Sequence, residues 1–178
     1  MGDNTTHRLR NTIFAQIRKK VGETNHMSFL NTLIDQVADE DLREQLQERV
    51  DLIQHKIKFM DRVSVIILDT DNRVSKVLNM LLEEVGGSPQ DDPIHARVLI
   101  YAEEGYPMIQ LMGLVPPILK EEWPAVEFSR VYLWEDNSAM IEHAEQAVLA
   151  MEDLAEMLYP GYFVFGNEGQ TWISFKTK

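Results

Sequence analysis

Cysteine is absent from these 178 residues. That excludes disulfides, thiolate metal sites and a cysteine nucleophile, and it fits a reducing compartment. All seven prolines lie at or beyond Pro89, and Gly2 and Gly22 are the only glycines ahead of Gly86. Residues that break regular structure are therefore nearly missing from the first half and gathered in the second. Long apolar runs are missing too: a stretch such as Ala147 to Met151 is far short of the roughly 18 residues that cross a bilayer. The opening Gly2-Asp3-Asn4 lacks the apolar stretch of a secretory signal, so the cytoplasm is the expected location and no membrane partner is expected.

Positive charge is the last scarcity. No lysine or arginine occurs from Val131 to Phe175, where Glu135, Asp136, Glu142, Glu145, Glu152, Asp153, Glu156 and Glu168 all lie. Residues 1–22 hold Arg8, Arg10, Arg18, Lys19 and Lys20 against Asp3 alone, a net +4 that leaves −16 for the rest of a chain at −12. Such a surface repels nucleic acid and anionic membrane and favours a basic protein partner. With 44% hydrophobic residues, the chain has enough apolar material for a core.

The early half reads as helix. Leu9, Ile13, Ile17 and Val21 form one stripe that Gly22 ends, and Leu30, Leu33, Ile34 and Val37 form another behind Ser28 or Asn25 as cap. Asp39, Glu40 and Asp41 then suit a helix N-terminus. Leu46, Val50, Ile53, Ile57, Met60, Ile67, Val74, Leu78, Leu81 and Val85 follow steps of four and three, broken at Ser64 and Asp71. This coiled-coil-like repeat predicts long helices with a break at Asp69-Thr70-Asp71-Asn72, buried in a hairpin or in a homodimer through the heptad positions.

Gly86 to Pro93 reads as a linker, which divides the chain into a helical region, 1–86, and an α+β domain, 94–178, or joins them as one integrated domain. In the second part, Ala96–Ala102 and Pro107–Leu114 alternate around Glu103-Glu104-Gly105, as a hairpin would. Phe128–Trp134 reads as a third strand, and Tyr162–Phe165 with Trp172–Phe175 as a second hairpin around Asn167-Glu168-Gly169. A helix over 138–158 ends at Pro160-Gly161. The expected fold is α+β: long helices, then a mainly antiparallel sheet of about five strands packed with one long helix.

Catalytic signatures are few. Val65-Ile66-Ile67-Leu68-Asp69-Thr70-Asp71 resembles the strand and paired acids of a haloacid-dehalogenase phosphatase, which would make Asp69 and Asp71 a magnesium-dependent phosphohydrolase pair. The motif's later partners do not follow, and a break between helices is the reading preferred. The same run lacks the glycine and final glutamate of a calcium loop, with Val74 and Met80 in their places. His7, His26, His55, His95 and His143 do not have zinc-site spacing, and neither G-x-S-x-G nor a phosphate-binding glycine loop occurs. No metal, cofactor or enzymatic activity is expected.

Arg130-Val131-Tyr132-Leu133-Trp134, an acidic helix, and Tyr159-Pro160-Gly161-Tyr162-Phe163-Val164-Phe165-Gly166-Asn167-Glu168-Gly169 resemble the latter part of a SUKH domain. The resemblance covers about a quarter of the chain and departs from the pattern at Gln170 and Thr171. It implies an α+β immunity-type protein that neutralises a toxin by binding it, with Phe165, Gly166 and Gly169 in structural roles. The expected function is thus a non-enzymatic acidic binder, an inhibitor or antagonist. Glu142, Glu145, Glu152 and Glu156 share one helix face and would meet a basic partner; self-assembly through the long helices is the alternative.

Overall fold

The computed structural model describes residues 28–76, 78–135 and 143–177. The stripe expected at Leu9 to Val21, and Glu142, lie outside the described residues. Ser28 caps helix α1 (Phe29–Ile34), its hydroxyl accepting from the Asn31 amide at 3.1 Å. Asp39 caps α2 (Glu40–Ile57) by accepting from the Leu42 amide, with Glu40 and Asp41 in the first turn and His55 and Lys56 in the last. Each charge opposes the helix dipole at its own end. Leu46, Val50 and Ile53 give α2 its buried stripe.

The long repeat ends there. Val63–Leu68 is strand β1, Asn79–Glu84 is a short helix α3, and Gly87–Pro89 is strand β2. Residues 60–72, open between helix and strand, are strand and turn. Periods of 3.5 and 2 both return a residue to its starting face after a small number of steps, so Ile67 keeps heptad phase while sitting on a strand. The expected linker thus contributes a strand. A side chain at Gly86 would be strained at φ +83 and would strike the Tyr159 hydroxyl.

Strands β3 (Val98–Tyr101), β4 (Val131–Trp134) and β5 (Trp172–Phe175) complete one sheet of order β2-β1-β3-β4-β5. The pairs β1–β2, β1–β3 and β3–β4 are parallel; only β4–β5 is antiparallel. The fold is therefore α+β with five strands, as expected in number, but mostly parallel instead of mainly antiparallel. Parallel neighbours need crossovers, so the run expected as a hairpin partner, Pro107–Leu114, is instead helix α4 (Met108–Leu114). After it come helix α5 (Pro124–Glu127) and, beyond β4, helix α6 (Ala144–Leu158). The Tyr162–Phe165 strand does not form, because the amides of Phe165, Gly166 and Asn167 all donate to the Glu156 carboxylate.

Alternation along the strands fills two cores. Val65, Ile67, Val98, Ile100, Tyr132 and Trp134 face α1, α2, α3 and α6, while Ile66, Leu68, Leu99, Tyr101, Val131 and Leu133 face α4 and α5. A sheet covered on both faces explains the near-continuous apolar runs Val65–Leu68 and Val98–Tyr101. It also crosses the expected boundary at residues 86–94, since β1 lies between β2 and β3. Among the described residues, no helix is long and apolar enough to cross a membrane.

Candidate functional site

From β1 the chain turns toward α3 on one face, and from β3 toward α4 on the other. The strand order reverses between them, so the carboxyl ends of β1 and β3 form the topological switch point of the sheet. Three segments border it: Asp69 to Arg73, Ala102 to Pro107, and Glu135 at the end of β4.

The first loop is self-braced. The Asp69 carboxylate accepts from the Asp71 amide at 2.9 Å, the Arg73 amide at 2.8 Å and the Arg73 guanidinium at 2.8 Å. Asn72 takes the left-handed conformation, φ 61, which asparagine tolerates better than most residues. Its side-chain oxygen accepts from the Tyr101 hydroxyl at 2.6 Å. Burial pushes the Tyr101 phenol upward, so the hydroxyl keeps its proton and stays a donor at neutral pH. Glu103 ties the two loops across the switch point, accepting from both the amide and the hydroxyl of Thr70. Glu135 accepts from the Met108 amide at 3.3 Å and so anchors the start of α4.

The rim is thus rigid and mixed in chemistry. Asp71 and Arg73 are exposed, Glu103 and Glu135 half-buried, and Ile109 projects beside them at 73% exposure. From Gly105 to Leu119 no residue carries a formal charge, in a chain that is 26% charged. Carboxylates, one guanidinium and the apolar Ile109 therefore belong to the segments that follow β1, β3 and β4. Among the described residues no group of three or more metal-binding side chains forms.

Of the glutamates chosen from the sequence, the three described ones, Glu145, Glu152 and Glu156, do not share an exposed face. Glu145 is exposed in the first turn of α6. Glu152 is 6% exposed and grips Arg49 of α2 with both oxygens at 2.8 Å. Glu156 is 5% exposed and accepts from the amides of Phe165, Gly166 and Asn167 and from the Trp172 indole. Helix α2 covers Glu152, and the loop before β5 covers Glu156. The run carrying the SUKH resemblance, Tyr159 to Gly169, forms the end of α6 and this clamped loop.

Asp69 and Asp71, read as a break between helices, instead close the carboxyl end of β1. Thr70, Asn72, Arg73, Tyr101, Glu103, Glu135 and Ile109 were not singled out. Their signal was present: two apolar runs, each followed by a short polar loop, mark the ends of buried parallel strands.

No family model and no curated protein matches the chain. Among solved structures it is similar to an ABC transporter substrate-binding protein from Listeria monocytogenes EGD-e, with a TM-score of 0.52 and 16% identity. That likeness covers 67% of this chain and 56% of the other, so the chain spans little more than half its neighbour's length. It is also similar to S. aureus IsdE complexed with heme, with a TM-score of 0.52 and 17% identity, over 83% of this chain and 74% of that one. At such identities the likeness concerns the fold.

These findings correct the expected function. The inhibitor or immunity-type reading, its basic protein partner and the coiled-coil assembly are withdrawn. The neighbours are named for the small molecules they bind or the transporters they serve. Leu46, Val50 and Ile53, which were to form the dimer seam, are spent in the chain's own core. The phosphohydrolase reading falls with them, since both Asp69 oxygens are already engaged by its own loop.

Proposed function

We propose that this chain is a non-enzymatic small-ligand-binding domain whose ligand sits at the carboxyl ends of β1, β3 and β4. The observation that carries this reading is the topological switch between β1 and β3, because open α/β sheets bind ligands in the crevice where strand order reverses. The neighbours' names support a solute-binding role, and the braced loops support a preformed site. Arg73 and the rim carboxylates supply polar recognition; Ile109 supplies apolar contact.

Hemin is the first probe, because one neighbour carries heme. It is followed by a panel of cationic and amphiphilic small solutes in thermal-shift and calorimetric titrations. A true ligand at a hundred times its Kd stabilises the fold by about 2.7 kcal/mol. Arg73→Ala and Glu103→Ala should weaken that effect, and Arg97→Ala, exposed at the amino end of β3, should not. A panel without any saturable stabilisation, or a ligand indifferent to both rim substitutions, would overturn the assignment.

A further inference from the structure

The buried carboxylates of α6 are no part of the proposed ligand site, yet each accepts from two or more donors of the chain itself. Asp153 is 1% exposed. Its two oxygens accept from the Trp134 indole of β4 at 2.9 Å and the Asn167 side-chain amide at 2.8 Å, and Thr171 lies against it. One turn on, Glu156 accepts from three successive loop amides and from the Trp172 indole at 3.1 Å. Two adjacent acids therefore hold the loop between α6 and β5 by four of its donors and take one indole each from β4 and β5. Glu152 beside them is matched by Arg49, whereas no basic side chain is bonded to Asp153 or Glu156 among the described residues.

We propose that Asp153 and Glu156 form a proton-set clamp, closed on the loop when Asp153 is protonated and looser when both acids are charged, and that it sets how firmly the β4 corner of the crevice is held. The connection is bonded throughout. The Glu135 amide donates to the Thr171 carbonyl at 3.0 Å, and the Glu135 carboxylate receives the Met108 amide at the start of α4. The clamp itself stands independently of any ligand; its bearing on ligand binding rests on the small-ligand reading.

Burial, reinforced by the charge of Glu156 and opposed by the bonds from Trp134 and Asn167, pushes the Asp153 carboxyl from 3.8 up to about 6. Opening the loop would hydrate Asp153 and restore its ordinary value. Proton binding therefore favours the closed form, fully so below the ordinary value, and this preference is lost as pH rises through about 6. A difference of about two pKa units changes the opening equilibrium roughly 100-fold.

The indole N–H signals of the three tryptophans read this directly by NMR between about pH 4.5 and 7.5. Trp134 and Trp172 should shift with a common midpoint near 6, the value set by Asp153. Trp123, packed under Lys120 in the other core, should stay flat. The backbone amides of Glu135 and Met108 should follow the same midpoint, with no ligand present. Asp153→Asn should flatten all four signals.

Should that variant fail to fold, Trp134→Phe decides. Losing a donor to the charged form should raise the midpoint seen at Trp172. Flat indole signals in the unaltered protein, an unchanged titration in Asp153→Asn, or an unmoved midpoint in Trp134→Phe would each overturn the clamp. Indoles that titrate while Glu135 and Met108 do not would overturn its link to the crevice. None of these outcomes depends on whether hemin binds, so the clamp and the proposed function fail separately.

Discussion

Two sets of carboxylates divide the molecule. Along α6, Glu152, Asp153 and Glu156 are buried and their oxygens are taken by the chain itself. Around the crevice, Asp71, Glu103 and Glu135 are open or half-open to solvent, with Arg73 among them. Composition treats the two sets alike, and helix spacing even favours the first as a display surface. The difference teaches that an acid's role follows from what covers it. A buried carboxylate with donors on both oxygens is an architectural bolt, and one bonded through a single oxygen at an open strand end still has an oxygen for solvent or a ligand.

The contrast should break first at Glu156. Glu156→Ala leaves four donors without their acceptor, and buried unpaired donors cost about 1–3 kcal/mol each when water cannot reach them. A loss of about 3–5 kcal/mol is expected in urea unfolding. Glu145→Ala on the same helix should stay within about 0.5 kcal/mol. Equal effects at the two positions would erase the distinction.

Asp153 should give the next largest effect, visible as pH dependence. Its raised value predicts that stability falls by about 3 kcal/mol as pH climbs from the ordinary carboxyl range through about 6. Asp153→Asn should flatten that slope. Arg49→Ala should cost about 1–2 kcal/mol, because it strands Glu152 but leaves it near solvent that the half-exposed arginine had occupied. At the crevice the pattern should invert. Asp71→Ala, at a side chain 68% exposed, should change stability by no more than about 0.5 kcal/mol while lowering ligand affinity about tenfold. A large stability loss there would make this loop architectural as well.

Local signals were legible wherever one element's own residues decide its form. Ser28 as a cap, the acids at 39–41 as a helix start, the Leu46-Val50-Ile53 stripe and the strands at Val131–Trp134 and Trp172–Phe175 are all readable from residue type and spacing. The heptad run misled because Ile67 satisfies a helical repeat and a strand alternation at once. Pro107–Leu114 misled because its alternation resembles a strand, while its neighbour β3 is already paired in parallel on both sides. The crevice was illegible because Thr70 and Glu103, 33 positions apart, meet only once β1 and β3 lie side by side.

By itself, the sequence determined that this is an acidic α+β chain without thiol chemistry, with its helix starts, apolar stripes and three of its five strands, β3, β4 and β5. Those properties depend on neighbours along the chain. Tertiary structure alone decided that the sheet is mostly parallel, that Glu152 and Glu156 turn inward, and that the carboxyl ends of β1 and β3 form a topological switch point. Burial and hydrogen-bond partnership are set by segments distant in sequence, and a carboxylate carries no mark of which segment will cover it.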